Sequence, residues 1–127
     1  PVTAMGWEVY PEGLFDVLKR VSDDYTKIPL FITENGAAFD DALPPNGSAI
    51  DDAARIDYLS SHFEAVRRLC ECGVNLRGYY VWSLMDNFEW AQGYSKRFGL
   101  VHVDFQTQQR TAKRSALWYR DFIRSQR

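Results

Sequence analysis

Apolar residues recur at steps of three and four in three stretches of the chain and form short unbroken runs in two others. The first periodic stretch follows Pro11-Glu12-Gly13, where proline suits a first helical turn because its missing N–H would have no partner there. Leu14, Phe15, Leu18, Val21 and Tyr25 then fall at helical spacing. A second helix carries Ile56, Leu59, Phe63, Val66 and Cys70. Asp51 and Asp52 offer it N-cap chemistry, and Gly73 suits the position just past its end. Ala116, Tyr119, Phe122 and Ile123 mark a third helix. The unbroken runs are Leu30–Thr33, bounded by Pro29 and Gly36, and Leu76–Ser83, rich in aromatic and β-favouring residues. Both read as strands. Phe98–Val103 looks extended, and Asp104–Thr111 turns the chain. A long loop spans Asn35–Ser48, with Gly36, Pro44, Pro45, Asn46 and Gly47. A polar and aromatic loop runs from Leu84 to Arg97.

Helix and strand alternate, which predicts an α/β fold with a parallel sheet and helical crossovers. Runs of this composition are expected to be buried on both faces. Two such strands leave open edges and do not make a stable sheet alone. A (β/α)8 TIM barrel needs about 250 residues. The expectation is the C-terminal part of such a barrel, about the last two β/α units, with residues 1–127 as one segment of a single larger domain. A chain that begins at Pro1 rather than Met agrees with that expectation.

Composition narrows the classes. Acids outnumber bases 17 to 15, so the net charge of −2 gives no basic footprint for nucleic acid. No apolar run approaches the roughly 20 residues that cross a bilayer, and Pro1–Met5 lacks the basic start of a signal peptide. Neither nucleic acid nor membrane is expected as a partner. Residues 95–127 hold eight bases and two acids. A solvated helix face accounts for that basic tail. Cys70 and Cys72 lie two apart on one helix, too divergent to bridge. They read as reduced thiols packed near the helix end, and a cytoplasmic location is the expectation. No metal-ligand spacing includes His62 or His102.

Two places carry chemistry. Glu34 follows the first strand and precedes Asn35-Gly36. In a barrel, side chains at the carboxyl ends of strands line the active site, so a carboxylate here suits a fixed nucleophile or base. Position alone supports a loop-capping Glu equally well. The second place is Trp82-Ser83-Leu84-Met85-Asp86-Asn87-Phe88-Glu89-Trp90, which begins at the carboxyl end of the second strand and so opens onto the same face. An indole can cover the C–H face of a sugar ring, Glu89 can accept two hydroxyl hydrogen bonds, and the Trp90 N–H can donate one. Taken singly, either tryptophan is better read as a core aromatic. Asp86 with Glu89 offers only two hard ligands, too few for a metal.

Thr33-Glu34-Asn35-Gly36, the run WSLMDNFEWAQGYSKRFGLVHVDF from Trp82 to Phe105, and Gly6-Trp7-Glu8-Val9-Tyr10-Pro11-Glu12-Gly13-Leu14 together resemble glycoside hydrolase family 1, the β-glucosidase family. The resemblance covers essentially the whole chain. It implies that Glu34 is the catalytic nucleophile and Trp82 the platform beneath the sugar. It further implies that Glu89 binds the 4- and 6-hydroxyls, Trp90 the 3-hydroxyl, and that Phe98 lies near the 6-hydroxymethyl end. A cis Trp82–Ser83 peptide is part of the same pattern. The implied reaction is retaining hydrolysis of β-glucosides or cello-oligosaccharides, galactosides and fucosides included, with no cofactor and no metal. Its acid/base Glu belongs to an Asn-Glu-Pro motif that this chain lacks, so the N-terminal remainder of the barrel is an expected partner. A carboxylate at position 89 would repel a 6-phosphate, which favours an unphosphorylated glycone. A non-catalytic sugar-binding or interaction fragment of the same fold is the alternative, distinguished by whether an acid/base Glu lies upstream.

Overall fold

The computed structural model describes residues 1–44 and 49–126, so Pro45, Asn46, Gly47 and Ser48 of the expected loop lie outside the described residues. Helix α1 spans Pro11–Arg20, with Glu12 in its first turn and Lys19 and Arg20 in its last, each complementing the helix dipole. Val21 and Tyr25, expected to continue it, stand instead on a π-helical turn, Val21–Tyr25. Strand β1 is Leu30–Asn35 and strand β2 is Leu76–Val81. They pair in parallel, and helix α2, Ala53–Glu71, crosses between them. The expected α/β organisation with a parallel pair is present. Glu34 therefore lies inside the end of β1 rather than after it, and β2 stops two residues short of Ser83.

The stretch expected to be extended, Phe98–Val103, holds a short strand at its end, but the second strand with which it forms a hairpin was not legible in the sequence pattern. Strands β3, Val101–Val103, and β4, Arg110–Ala112, pair antiparallel before helix α3, Arg114–Ser125. Three-residue strands are too short to show alternation.

Register within the parallel pair decides where Glu34 points. Ile32 stands opposite Tyr79, and Asn35 opposite Val81. Three steps on β1 thus match two on β2. The extra residue is a bulge, and one extra residue reverses the alternation of side chains. Ile32 and Asn35 share the side of Tyr79 and Val81, which packs against α2 and α3. Glu34, adjacent to Asn35, faces the other side. That other side is open: Phe31 and Tyr80 are 53% and 59% exposed. Among the described residues helices cover only one face of the pair, as expected where the remaining strands of a barrel are absent from the chain.

The core fills the covered face. Phe63 of α2 meets Tyr79 edge-on at 4.7 Å and stacks on Phe122 at 4.6 Å. The buried stripe of α2 includes Leu59, Phe63 and Leu69, but Cys70 and Cys72 are exposed, not packed as expected. At the end of α2, the N–H of Val74 donates to Leu69 O and that of Gly73 to Cys70 O. Gly73 takes φ of 81° to allow this paired closure.

Asp52 occupies the N-cap position of α2 but makes no cap bond to it. Its carboxylate caps α3 instead, accepting the Ser115 N–H at 2.8 Å and the Ser115 hydroxyl. Arg114 N–H donates to Ile50 O, and Ala116 N–H to Lys113 O. The first-turn donors of α3 are thereby satisfied. Asp51 pairs with Arg114 at the surface.

The basic tail is not wholly solvated either. Lys113 is fully buried, its Nζ 2.6 Å from Asp41 and 2.9 Å from Asp86. Arg55, equally buried, bonds Asp52 and reaches Asp41 at 2.7 Å, while Arg97 reaches Asp86 at 3.1 Å. Three carboxylates and three cations balance in one cluster. It ties the segments following β1 and β2 to the starts of α2 and α3.

Two buried histidines give the fold an acid limit. Burial holds the His62 imidazole below its ordinary value of 6.5, outweighing the bond of its Nδ1 to Tyr58 O at 2.7 Å. Burial and the neighbouring Arg97 charge likewise lower His102. In each case the unfolded chain binds more protons than the folded one below pH 6.5, so stability is full above that value and falls as pH drops through and below it. Thermal midpoints measured from pH 8 to pH 5 are expected to decline over this window. A His62→Gln variant should show a shallower decline; an unchanged slope would contradict the assignment.

Candidate active site

The carboxyl ends of β1 and β2, the loop after β2 and Tyr58 of α2 enclose a cavity of about 570 Å³ lined by Trp7, Glu34, Asn35, Gly36, Tyr58, Trp82, Glu89, Trp90 and Phe98. All five residues singled out in the sequence, Glu34, Trp82, Glu89, Trp90 and Phe98, lie on its wall. The β1 bulge brings Glu34 there. Trp82 arrives as the residue after β2, with its N–H bonded to Asn35 O at 2.9 Å, so the two strand ends are fastened together beside the carboxylate. The Trp82–Ser83 peptide is cis, as the resemblance implies.

Glu89 is held by its own loop. Its N–H donates to Gly93 O at 2.7 Å, and a 3₁₀ turn over Trp90–Gln92 closes between them. The Trp82 indole N–H donates to Glu89 Oε1 at 3.1 Å. One carboxylate oxygen is oriented by that bond, and the other is left for ligand. Trp90 is 85% exposed, so its indole N–H is free to donate to a bound molecule. Phe98 is buried, packs 6.0 Å from the Trp7 ring, and its carbonyl accepts the Ser83 N–H. It shapes the wall rather than presenting an edge.

Gly36 shows how closely the two strand ends approach. A Cβ built there would lie 1.7 Å from Trp82 O, a backbone atom that cannot step aside. Gly36→Ala is expected to destabilise by about 3 kcal/mol, the upper end of overpacking costs, and to displace Trp82 from the cavity. A denaturant midpoint within error of the unsubstituted protein would show that the approach is not so tight.

Asp86 and Glu89, weighed as a metal pair, are parted by the fold. Asp86 accepts from Lys113, Arg97 and the Gly99 N–H in the buried cluster, while Glu89 faces the cavity. Lys96 donates to Ala4 O at 2.7 Å, which anchors the N-terminal segment. Trp7, Asn35 and Tyr58 were not assigned to the site from sequence. Trp7 sits in a motif whose three-dimensional neighbour, Phe98, lies 91 residues away. A second groove of about 600 Å³, lined by Phe63, Tyr79 and Phe122 among others, contains no carboxylate.

A carboxylate-bearing strand end, an indole beside it and a second carboxylate lie on one wall. The family model described as glycosyl hydrolase family 1 matches residues 1–127. The chain belongs to glycosyl hydrolase family 1. A 1,4-beta-D-glucan glucohydrolase from Thermotoga neapolitana is 54% identical over 125 residues, and beta-glucosidase A from Thermotoga maritima is 51% identical over 125. Each alignment covers 98% of this chain and 28% of the relative. The solved family 1 β-glucosidase from Thermotoga maritima superposes with a TM-score of 0.95 at 52% identity, again over 98% of this chain and 28% of that one. That enzyme has also been solved with isofagomine lactam and with glucoimidazole. This family 1 chain thus spans little more than a quarter of the length of the relatives it matches.

Proposed function

We propose that this chain is the C-terminal segment of a family 1 (β/α)8 catalytic domain that hydrolyses terminal β-D-glucosyl residues, with galactosyl and fucosyl residues as further substrates, and with retention of configuration. The observation that carries the reading is the convergence of Glu34, Trp82, Glu89 and Trp90 on one cavity. Glu34 attacks the anomeric carbon and forms a glycosyl ester as the glycosidic C–O bond breaks. A carboxylic acid from the remainder of the barrel protonates the departing oxygen, about 5–5.5 Å from Glu34. The same group then removes a proton from water, which attacks the anomeric carbon and releases Glu34. Trp82 covers the apolar face of the sugar. Glu89 and Trp90 bind its hydroxyls. Because the carboxylate of Glu89 would meet a 6-phosphate with like charge, the preferred glycone is unphosphorylated.

The open face and free edges of β1 and β2 are where the other strands dock. That remainder supplies the acid/base group and the missing cavity walls, so the 127 residues alone should not turn over substrate. General acid catalysis is worth about 10²–10⁴-fold. The test is the anomer formed first. Proton NMR of an aryl β-glucoside digested by the complete protein should show β-glucose before mutarotation. First appearance of α-glucose would exclude the double displacement. Binding without any turnover by the complete protein would favour a non-catalytic sugar-binding role.

A further inference from the structure

Resting on the reading of Glu34 as nucleophile, we propose that Asn35 and Tyr79 form a positioning pair: the Tyr79 hydroxyl, through the Asn35 amide, holds the β1 bulge that turns Glu34 toward the substrate. Regular pairing of β1 on β2 would put Glu34 on the side of Tyr79, against the helices. The bulge must therefore be held against slipping back into register. Asn35 is gripped at two points. Its carbonyl accepts the Trp82 N–H at 2.9 Å, and its side-chain oxygen accepts the Tyr79 hydroxyl. The first bond would survive many side chains at position 35. The second needs an amide there and a phenol on the neighbouring strand.

Tyr79 is well placed to serve as an anchor. Its ring packs edge-on against Phe63, and its carbonyl accepts the Tyr119 hydroxyl at 3.4 Å. Burial pushes its phenol far above the usual range, so the hydroxyl remains a donor at every working pH. Burial also raises Tyr58, an effect that the Asn35 amide partly offsets. Neither Tyr79 nor Asn35 need touch the reacting atoms. Both act through the direction of the adjoining carboxylate.

The test uses the complete enzyme with Tyr79→Phe and Asn35→Ala. Each is expected to lower kcat by about 10–100-fold, the scale of an ångström-sized misplacement. For Tyr79→Phe, affinity for a non-covalent sugar mimic such as glucoimidazole should stay within about twofold, because the Tyr79 side chain does not line the cavity. Inactivation by a 2-deoxy-2-fluoro-β-glucoside should slow by the same factor as kcat, with the label still on Glu34. Phe63→Leu is the control: it loosens the packing around Tyr79 and lowers the thermal midpoint without removing the hydrogen bond, and should leave kcat nearly unchanged. An unchanged inactivation rate in Tyr79→Phe, with Glu34 labelled, overturns the pair's role alone. So does an equal loss of kcat in Phe63→Leu. Failure to label Glu34 in the unsubstituted enzyme overturns the nucleophile reading and the pair's role with it.

Discussion

Glu34→Ala in the complete enzyme is expected to lower kcat by about 10⁴–10⁶-fold, the range seen when a covalent nucleophile is removed. The loss should be confined to chemistry. Trp82, Glu89 and Trp90 stay in place, so a glycoside still binds. The truncated side chain leaves space beside the anomeric carbon, and the side of the sheet it leaves is already open. Azide added to the variant should enter that space and attack directly when the leaving group is dinitrophenolate, which needs no acid. One displacement inverts, so the product should be the α-glycosyl azide, separable by chromatography from the β-anomer. If Glu34→Ala retains a tenth of the activity, or azide yields only the β-product, Glu34 is not the nucleophile.

The second large effect concerns stability. Lys113→Met removes one cation from a cluster in which the side chains of Asp41, Arg55 and Lys113 are at most 1% exposed. Asp41 and Asp86 then keep their charge with less to balance it. Breaking a buried pair in this way costs about 3–5 kcal/mol. Arg114→Ala offers the contrast. Its pairing with Asp51 is more than half exposed on both sides, and pairs of that kind are worth about 0–1 kcal/mol. Urea midpoints of the two variants should therefore differ clearly. Replacing Lys113 and Asp86 together should cost less than the sum of the single replacements, because each leaves the other uncompensated. Equal midpoints for Lys113→Met and Arg114→Ala would show the cluster to be energetically idle.

Much of the fold was legible because it rests on local rules. The three helices announce themselves by periodicity, and Gly73 marks the end of α2 correctly. The parallel strands show as unbroken apolar runs. Only one of their faces is covered in this chain, since composition reports what a strand is built to contact and not whether the contact lies in the same chain. The ion cluster was invisible for a different reason. Asp41, Asp86 and Lys113 are separated by 45 and 27 residues, and each looks like an ordinary surface charge in its own window. Asp52 shows the limit most plainly: its residue type and position were right for a cap, but the helix that it caps begins 62 residues later. For the site, family-like motifs located five of the nine residues that line the cavity. The bulge that aims Glu34 was not readable, because register is a property of two strands and neither run alone records it.

The start of α3 is completed by groups far upstream. Ile50 and Asp52 accept from its first turn, and Lys113 beside it is matched to Asp41 and Asp86. These acceptors leave the ribosome long before residues 114–125 do. Helix α3 therefore docks onto acceptors that are already synthesised, and its docking buries Lys113 against Asp41 and Asp86.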